Sequence, residues 1–189
     1  MMTMHTYKRG LLAVVTGTLL ATAQTAAQPG LTFTAEATVK TPSRSGSRPV
    51  KIHIDRFVSD GVRDTIGAAI KARKPGETLK ALTSLPDIGY IEVGDKRVPL
   101  KYAYARPVGD GRMITVVTAQ PILFFDPDGK AKPKEGFDLG LALLVLDAKD
   151  TGEGELAPAA KVAINKDGAI VTEEYGSEVV RLVKIAKVS

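Results

Sequence analysis

The stretch FDLGLALLVL, residues 137–146, decides the fold class of this chain. Apolar side chains occupy every second position of the stretch, which predicts a β-strand. Leu144 and Leu146 add apolar side chains to the opposite face near its end. A strand that is apolar on both faces is usually central, because both of its faces must be covered. We therefore predict a β-rich fold with this strand near the middle of a sheet.

Alternation of apolar and polar residues continues on both sides of this stretch. Residues 31–39 and 50–54 each place their apolar side chains on one face, as half-buried antiparallel strands do. The other predicted strands are short and bounded by glycine-containing turns: 89–93, 98–104, 112–118, 169–175 and 178–187. This spacing favours an antiparallel sheet with hairpin connections.

Two turn signals refine the second half of the chain. Asp110-Gly111 is a strong hairpin signal, because this dipeptide tolerates the positive φ angles of tight turns. Residues 152–156 and 161–164 are predicted to form one strand interrupted near Pro158. Proline cannot donate a hydrogen bond in a sheet, so we expect an edge strand or a bulge there.

A helical period separates the first two strands from the rest. Ser59 is a candidate N-cap, and an apolar stripe runs from Val62 to Ile70. Lys74-Pro75-Gly76 ends this helix, and a shorter one follows over residues 79–85. The predicted fold class is mainly β (α+β): an antiparallel β-sandwich or partly open barrel of about nine strands with one inserted helical hairpin.

The N-terminus has the order of features of a secretory signal peptide. Lys8 and Arg9 precede an apolar run from Leu11 to Leu20, and small residues follow up to Ala27. The run is too short to span a bilayer, which takes about 20 apolar residues. We predict a signal peptide over residues 1–27, cleaved near Ala27, and one β-rich globular domain over residues 28–189. The expected location is periplasmic or extracellular.

Composition excludes several classes of function. The 189 residues include no cysteine and no tryptophan, and the net charge is +5. Without cysteine the protein cannot be a lipid-anchored lipoprotein. Basic residues are scattered among acidic ones, so we expect no nucleic-acid partner. No later segment is long and apolar enough to span a membrane, so we expect a soluble protein that is not membrane-spanning.

Catalytic and cofactor motifs are not evident in the sequence. His53, beside Asp55, could act as a general base, but no nucleophile motif accompanies it, and we interpret it as a surface histidine. One histidine after signal cleavage and no cysteine make a zinc site improbable. The acidic turn from Asp147 to Glu155 departs from the EF-hand calcium template. We therefore expect no cofactor and no metal, and lean against an enzyme.

The aromatic residues give one candidate binding site. Tyr102 and Tyr104 share a strand face, and Tyr90 is expected on a neighbouring strand. Phe124 and Phe125 are adjacent, so in a strand they would point to opposite faces. Such residues usually pack in a core, but they can also line a ligand pocket. We take these five aromatic residues as candidate ligand contacts.

Several turn and strand motifs resemble those of hypothetical exported bacterial proteins. The shared core here comprises Gly89-Tyr90-Ile91, Tyr104-Ala105-Arg106 and Asp110-Gly111-Arg112, a GYI…YARxxxDGR pattern. A later GEGxL segment, residues 152–156, belongs to the same likeness. That group has no assigned activity, so the resemblance implies export and a single domain without implying a mechanism.

Three functions remain open at this point. The first is a non-catalytic periplasmic or envelope protein that binds a small apolar ligand or an envelope protein partner. The second is a hydrolase with two carboxylates about 5–10 Å apart across a cleft. The third is a structural or assembly module of the cell envelope, acting through the strand near Pro158 and the basic loop from Lys130 to Lys134.

Overall fold

The computed structural model describes residues 30–40, 45–122, 134–176 and 179–188. The predicted signal peptide, Phe124, Phe125, Lys130 and Lys132 lie outside these residues. Ten strands and two helices follow one another in the order β1 Leu31–Lys40, β2 Ser45–Ile54, α1 Asp60–Lys71, α2 Glu77–Thr83, β3 Gly89–Val93, β4 Lys96–Pro99, β5 Tyr102–Val108, β6 Gly111–Thr118, β7 Leu139–Leu146, β8 Thr151–Ile164, β9 Ile170–Tyr175 and β10 Val180–Val188.

The strands form one antiparallel sheet that curls into a half-barrel. Its order is β4-β3-β2-β1-β10-β8-β7-β6-β5, and β9 pairs with the far end of β8. The first strand pairs with the last, so both ends of the described chain meet inside the sheet. The mainly β fold with an inserted helical pair is confirmed. Of the two architectures expected, the structure has the curled sheet of a partly open barrel.

The sheet buries two clusters of side chains, one on each of its faces. The inner cluster occupies the concave side, and its largest fully buried members are Phe33, Ile52, Ile54, Ile91, Leu100, Ile114, Ile122, Leu144 and Leu156. The outer cluster lies between the helices and the convex side, and its buried members are Ile66, Ile70, Leu82, Tyr102, Val117, Leu139, Leu141 and Ile170. Strand β7 contributes to both clusters, as expected for a central strand.

Helix α1 begins as the sequence predicts. The Ser59 hydroxyl accepts a hydrogen bond from the Val62 N–H at 3.4 Å, which satisfies one of the free donors of the first turn. Asp60 at the start and Lys71 at the end complement the helix dipole. The buried residues Ile66 and Ile70 point to the sheet, so the helix covers the outer cluster.

The predicted strand over residues 98–104 is wrong, because it is two strands at opposite ends of the sheet. Strand β4 pairs with β3, whereas β5 pairs with β6. Between them, Leu100 accepts a hydrogen bond from Ile88 N–H and donates one to the Gly89 carbonyl, each at 2.9 Å. Its side chain is fully buried in the inner cluster. The chain therefore crosses from one edge of the sheet to the other at Leu100.

Pro158 lies in a bulge and not at an edge. Leu139 pairs with Ala160 and Leu141 with Ala157, so β8 has one more residue than β7 at this point. The extra residue removes the need for a proline N–H in the ladder. Strand β8 is central, with β7 on one side and β9 and β10 on the other.

The helices of the described residues are both short. Neither of these two helices is both long enough and apolar enough to cross a membrane.

Candidate functional site

A cavity of about 450 Å³ lies between helix α1 and the convex side of the sheet. We call it the tyrosine cavity. Its wall is formed by residues of α1, β5, β6 and the β8–β9 turn: Arg63, Asp64, Gly67, Ala68, Lys71, Tyr102, Tyr104, Arg106, Thr115, Ile164, Asp167, Gly168, Ala169 and Ile170. The volume falls within the range of about 300–1,000 Å³ that is usual for small-molecule sites.

Alternation along β5 supplies the sheet side of this cavity. Tyr102, Tyr104 and Arg106 occupy every second position, so all three point to the convex side. Thr115 of β6 pairs directly with Tyr104 and carries its hydroxyl to the same wall. The inward positions Ala103 and Ala105 contact the inner cluster instead. One short strand therefore places two phenols and a guanidinium side by side.

Helical spacing supplies the opposite wall. Arg63, Gly67 and Lys71 are four residues apart in α1, so they lie along one stripe of the helix. A Cβ atom at Gly67 would have Ile164 Cδ1 as its nearest non-helical neighbour, at 4.0 Å. The missing side chain at Gly67 leaves open space between the helix and the sheet.

Arg63 is held by groups of the protein. Its guanidinium donates to Asp60 at 2.8 Å, to Asp64 at 2.9 Å and to the Tyr104 hydroxyl at 2.5 Å. The hydrogen bond to Asp64 is the first cause that raises the pKa of Arg63, and the bond to Tyr104 is the second. Tyr104 in turn donates to Asp60 at 3.0 Å. This network fixes one rim of the cavity.

Tyr102 forms the buried part of the sheet wall. Only 2% of its surface is exposed. Burial is the first cause that raises the pKa of this phenol, and the neighbouring Tyr104 adds to it. The hydroxyl therefore keeps its proton at physiological pH and can donate a hydrogen bond.

Arg106 has a buried polar atom, Nε, that is left without a hydrogen-bond partner among the described residues. One terminal nitrogen lies 4.0 Å from the Met113 sulfur, which is a weak acceptor. Within the part of the chain that the structure describes, no carboxylate lies within ion-pair distance of Arg106.

Tyr90 lies in a different place from the other candidate tyrosines. Strand β3 pairs with β2 and β4, so the expectation that Tyr90 neighbours the strand of Tyr102 and Tyr104 is wrong. The crossing at Leu100 is the reason, because it sends β5 to the opposite edge of the sheet. Tyr90 stacks on His53 with ring centroids 5.2 Å apart, and the Arg97 guanidinium lies 4.3 Å above its ring.

His53 has hydrogen-bond partners on both ring nitrogens. Thr32 Oγ1 lies 2.7 Å from Nδ1, and Asp55 Oδ1 lies 3.0 Å from Nε2. These residue types match a nucleophile, a base and an orienting acid. However, β1 is paired along both of its edges, so the backbone N–H groups beside Thr32 are used in the sheet. An oxyanion would find no backbone donors there, which argues against acyl transfer.

A second, more open cleft of about 620 Å³ lies between the α1–α2 connection and the end of β9. Four carboxylates line it: Glu135, Asp138, Glu173 and Glu174. Glu173 is ion-paired with Arg73 at 2.8 Å and Glu174 with Lys161 at 3.0 Å. These pairs engage two of the four carboxylates, whereas Glu135 and Asp138 have no ion-pair partner among the described residues. Among the described residues, no group of three His, Cys, Asp or Glu side chains could hold a metal ion.

Of the five aromatic candidates, the structure brings Tyr102 and Tyr104 together at a cavity. Phe124 and Phe125 lie outside the described residues. Sequence reasoning missed Arg63, Lys71 and Arg106. The signals for them were present, since Arg106 continues the alternation of β5 and Arg63 shares a helical stripe with Lys71. What the sequence does not show is that this stripe faces this strand.

Comparison of the chain with models of protein families, with curated proteins and with solved structures gave no match.

Proposed function

We propose that this protein is an exported, non-catalytic binding protein that holds a small ligand in the tyrosine cavity. The observation that carries the proposal is the cavity itself, in which an apolar floor meets two phenols and an arginine without a carboxylate partner among the described residues. Such a combination of apolar surface and a few directed polar groups is typical of ligand sites. The concave side of the sheet is a weaker candidate, because buried side chains occupy it.

The non-catalytic part of the proposal follows from the chemistry of the wall. The hydrogen bonds of Arg63 and Tyr104 to carboxylates hold these groups in place. Among the described residues that line the cavity there is no histidine and no cysteine. A histidine base and a thiol nucleophile are therefore missing from the wall, and Asp64, one of its two carboxylates, is ion-paired with Arg63. Binding of a small ligand requires apolar surface and a few hydrogen-bonding groups, and the cavity wall has both.

Filling the cavity at Gly67 is the direct test. Gly67→Leu places a side chain in the open space of the cavity, whereas Gly67→Ala adds one methyl group and serves as the matched control. Native mass spectrometry would detect a co-purifying ligand, and thermal shifts would be measured with a panel of small aromatic and aliphatic acids, amides and alcohols. We expect wild type and Gly67→Ala to bind, and Gly67→Leu to lose binding.

The same pair separates binding from folding. Alanine has a higher helix propensity than glycine, so Gly67→Ala should raise the unfolding free energy by about 0.5–1 kcal/mol. Circular dichroism of Gly67→Leu, compared with wild type, is the check that this variant is folded. If Gly67→Leu and Gly67→Ala respond alike to every compound, the tyrosine cavity is not the binding site.

Export is tested independently. Cell fractionation should place the protein outside the cytoplasm, and N-terminal sequencing of that fraction should begin near Gln28. An N-terminus that retains Lys8 and Arg9 in the exported fraction would contradict cleavage near Ala27.

A further inference from the structure

We propose that the ligand of the tyrosine cavity is a small monocarboxylate whose carboxylate binds Arg106 while its apolar body lies against the floor of the cavity. This inference rests on the proposed binding function and adds the chemical class of the ligand.

The first argument is the state of Arg106. The side chain is partly exposed, but its Nε atom is buried and without a partner among the described residues, and one of its two terminal nitrogens lies 4.0 Å from the Met113 sulfur. A buried donor without an acceptor destabilises a protein, so the site gains when an acceptor enters. A guanidinium matches a carboxylate particularly well, because two parallel N–H groups reach its two oxygens. Arg106 therefore selects for a planar anionic group.

The second argument is the charge of the wall. Arg63 and Asp64 line the cavity and form an ion pair, and Arg63 also pairs with Asp60, which lies outside the lining. Arg106, Lys71 and Asp167 also line the cavity, and none has an ion-pair partner among the described residues. Counted over the lining alone, three cations and two carboxylates give a single net positive charge, and Asp60 on the rim is not included in that count. That charge matches a monoanion better than a dianionic phosphate.

The third argument is the surface around Arg106. Tyr102 and Thr115 carry hydroxyl groups on the same wall and can donate to a bound carboxylate. Ile164, Ala169 and Ile170 form an apolar floor on the other side. A ligand with a carboxylate at one end and an apolar body fits both parts of this surface.

The test compares matched acids and amides by isothermal titration calorimetry on the full chain. The probes are benzoate with benzamide, hexanoate with hexanamide, and phenyl phosphate. Wild type should bind at least one acid about tenfold or more tightly than its amide, because hydrogen bonds to charged groups are the stronger ones. Phenyl phosphate should bind no more tightly than benzoate.

Variants assign the preference to Arg106. Arg106→Gln should weaken the acid roughly tenfold to a hundredfold and leave the amide unchanged. Arg181→Gln removes the same charge from the exposed side of β10 and should leave both affinities unchanged. Arg106→Lys keeps the charge and should retain part of the preference. If Arg106→Gln does not fold, the acid–amide comparison in wild type still decides the question.

Each other outcome overturns the inference. Equal binding of acid and amide, full acid affinity in Arg106→Gln, tighter binding of phenyl phosphate, or no binding of any acid would each do so. Gly67→Leu then shows whether the failure is confined to the monocarboxylate inference or extends to the proposed binding function of the tyrosine cavity. If acid and amide bind equally and Gly67→Leu abolishes both, the cavity binds a ligand whose carboxylate is irrelevant. If Gly67→Leu leaves probe binding unchanged, the cavity is not the site and both proposals fall.

Discussion

The two halves of the sheet differ in what covers their convex sides. In the bare half, formed by β1, β2 and β3, polar residues alternate with buried apolar ones, so the convex side is polar. In the covered half, formed by β5, β6, β7 and β8, apolar residues occur on both sides, and the helices pack on the convex one. The tyrosine cavity lies in the covered half. Among the described residues, the helices give the covered half a second packed layer, and the cavity lies between the two layers.

The two halves are also stabilised by different interactions. The convex side of the bare half carries ion pairs and hydrogen bonds, such as Lys51–Glu92 at 3.1 Å and Arg97–Glu92 at 2.5 Å. Exposed ion pairs contribute little to stability, because water screens them and long side chains lose entropy. The covered half instead buries apolar surface, which contributes far more. The unfolding free energy should therefore depend mainly on the covered half.

The largest expected effect is at Leu141. This residue of β7 is 1% exposed beneath the helices, so Leu141→Ala should lower the unfolding free energy by about 2–5 kcal/mol. Val145 lies on the same side of the same strand but beyond the helices, where it is 50% exposed. Val145→Ala should change the unfolding free energy by less than about 0.5 kcal/mol. Urea denaturation measures both values, and equal losses would show that the helices do not determine where this strand is buried.

Much of the fold could be predicted from local pattern. The both-sided apolar stretch at residues 137–146 contains β7, which is an interior strand but lies third from one end of the sheet and not at its middle, and the Asp110-Gly111 signal lies at the β5–β6 hairpin. Ser59 caps helix α1 as expected. These features depend on a residue and its near neighbours, so periodicity and turn chemistry suffice to find them. The crossing at Leu100 depends instead on how the sheet closes, which no local pattern records.

In the candidate site too, some features follow from the local sequence pattern and others depend on long-range packing. Alternation predicted that Tyr102 and Tyr104 share a face, and the same pattern would have added Arg106. Contact between this face and helix α1 is a long-range property, set by the inserted helices packing on the covered half. Tyr90 shows the opposite error, because closeness in sequence suggested closeness in space. The residues of the site were visible in the sequence, but their assembly was not.

The contributions of the two halves to stability can also be distinguished at alkaline pH, where only the covered half is expected to respond through Tyr102. Burial raises the pKa of Tyr102 in the covered half above its ordinary value of 10.0. In the unfolded chain this phenol ionises near pH 10.0, whereas in the folded protein it stays protonated. Its contribution is therefore complete below pH 10.0 and is lost as the pH rises above it. Tyr102→Phe should flatten the alkaline decline of stability, measured by urea denaturation at several pH values.

Leu141→Ala provides the matched control for this alkaline effect. It weakens the covered half without removing a phenol, so the whole stability curve should shift down while its alkaline slope is unchanged. An alkaline slope in Tyr102→Phe equal to that of wild type would show that ionisation of Tyr102 is not coupled to unfolding.

The smallest expected effect belongs to the bare half at acidic pH. Hydrogen bonds from Arg97 and then Lys51 lower the pKa of Glu92, and those from Ser47 and then Lys184 lower the pKa of Glu36. Both carboxylates have an ordinary value of 4.5, which applies to the unfolded chain. Their contribution is present above pH 4.5 and is lost as the pH falls through the lower folded-state values.

Replacing both carboxylates tests this contribution. Glu36→Gln combined with Glu92→Gln should lower stability slightly at neutral pH and flatten the decline below pH 4.5. Because these ion pairs are exposed, added salt should reduce the difference from wild type. The alkaline decline should be the same as in wild type, since Tyr102 lies in the other half. A double variant that keeps the acid decline of wild type would contradict the assignment of acid sensitivity to the bare half, because unfolding would then respond to carboxylates elsewhere in the chain.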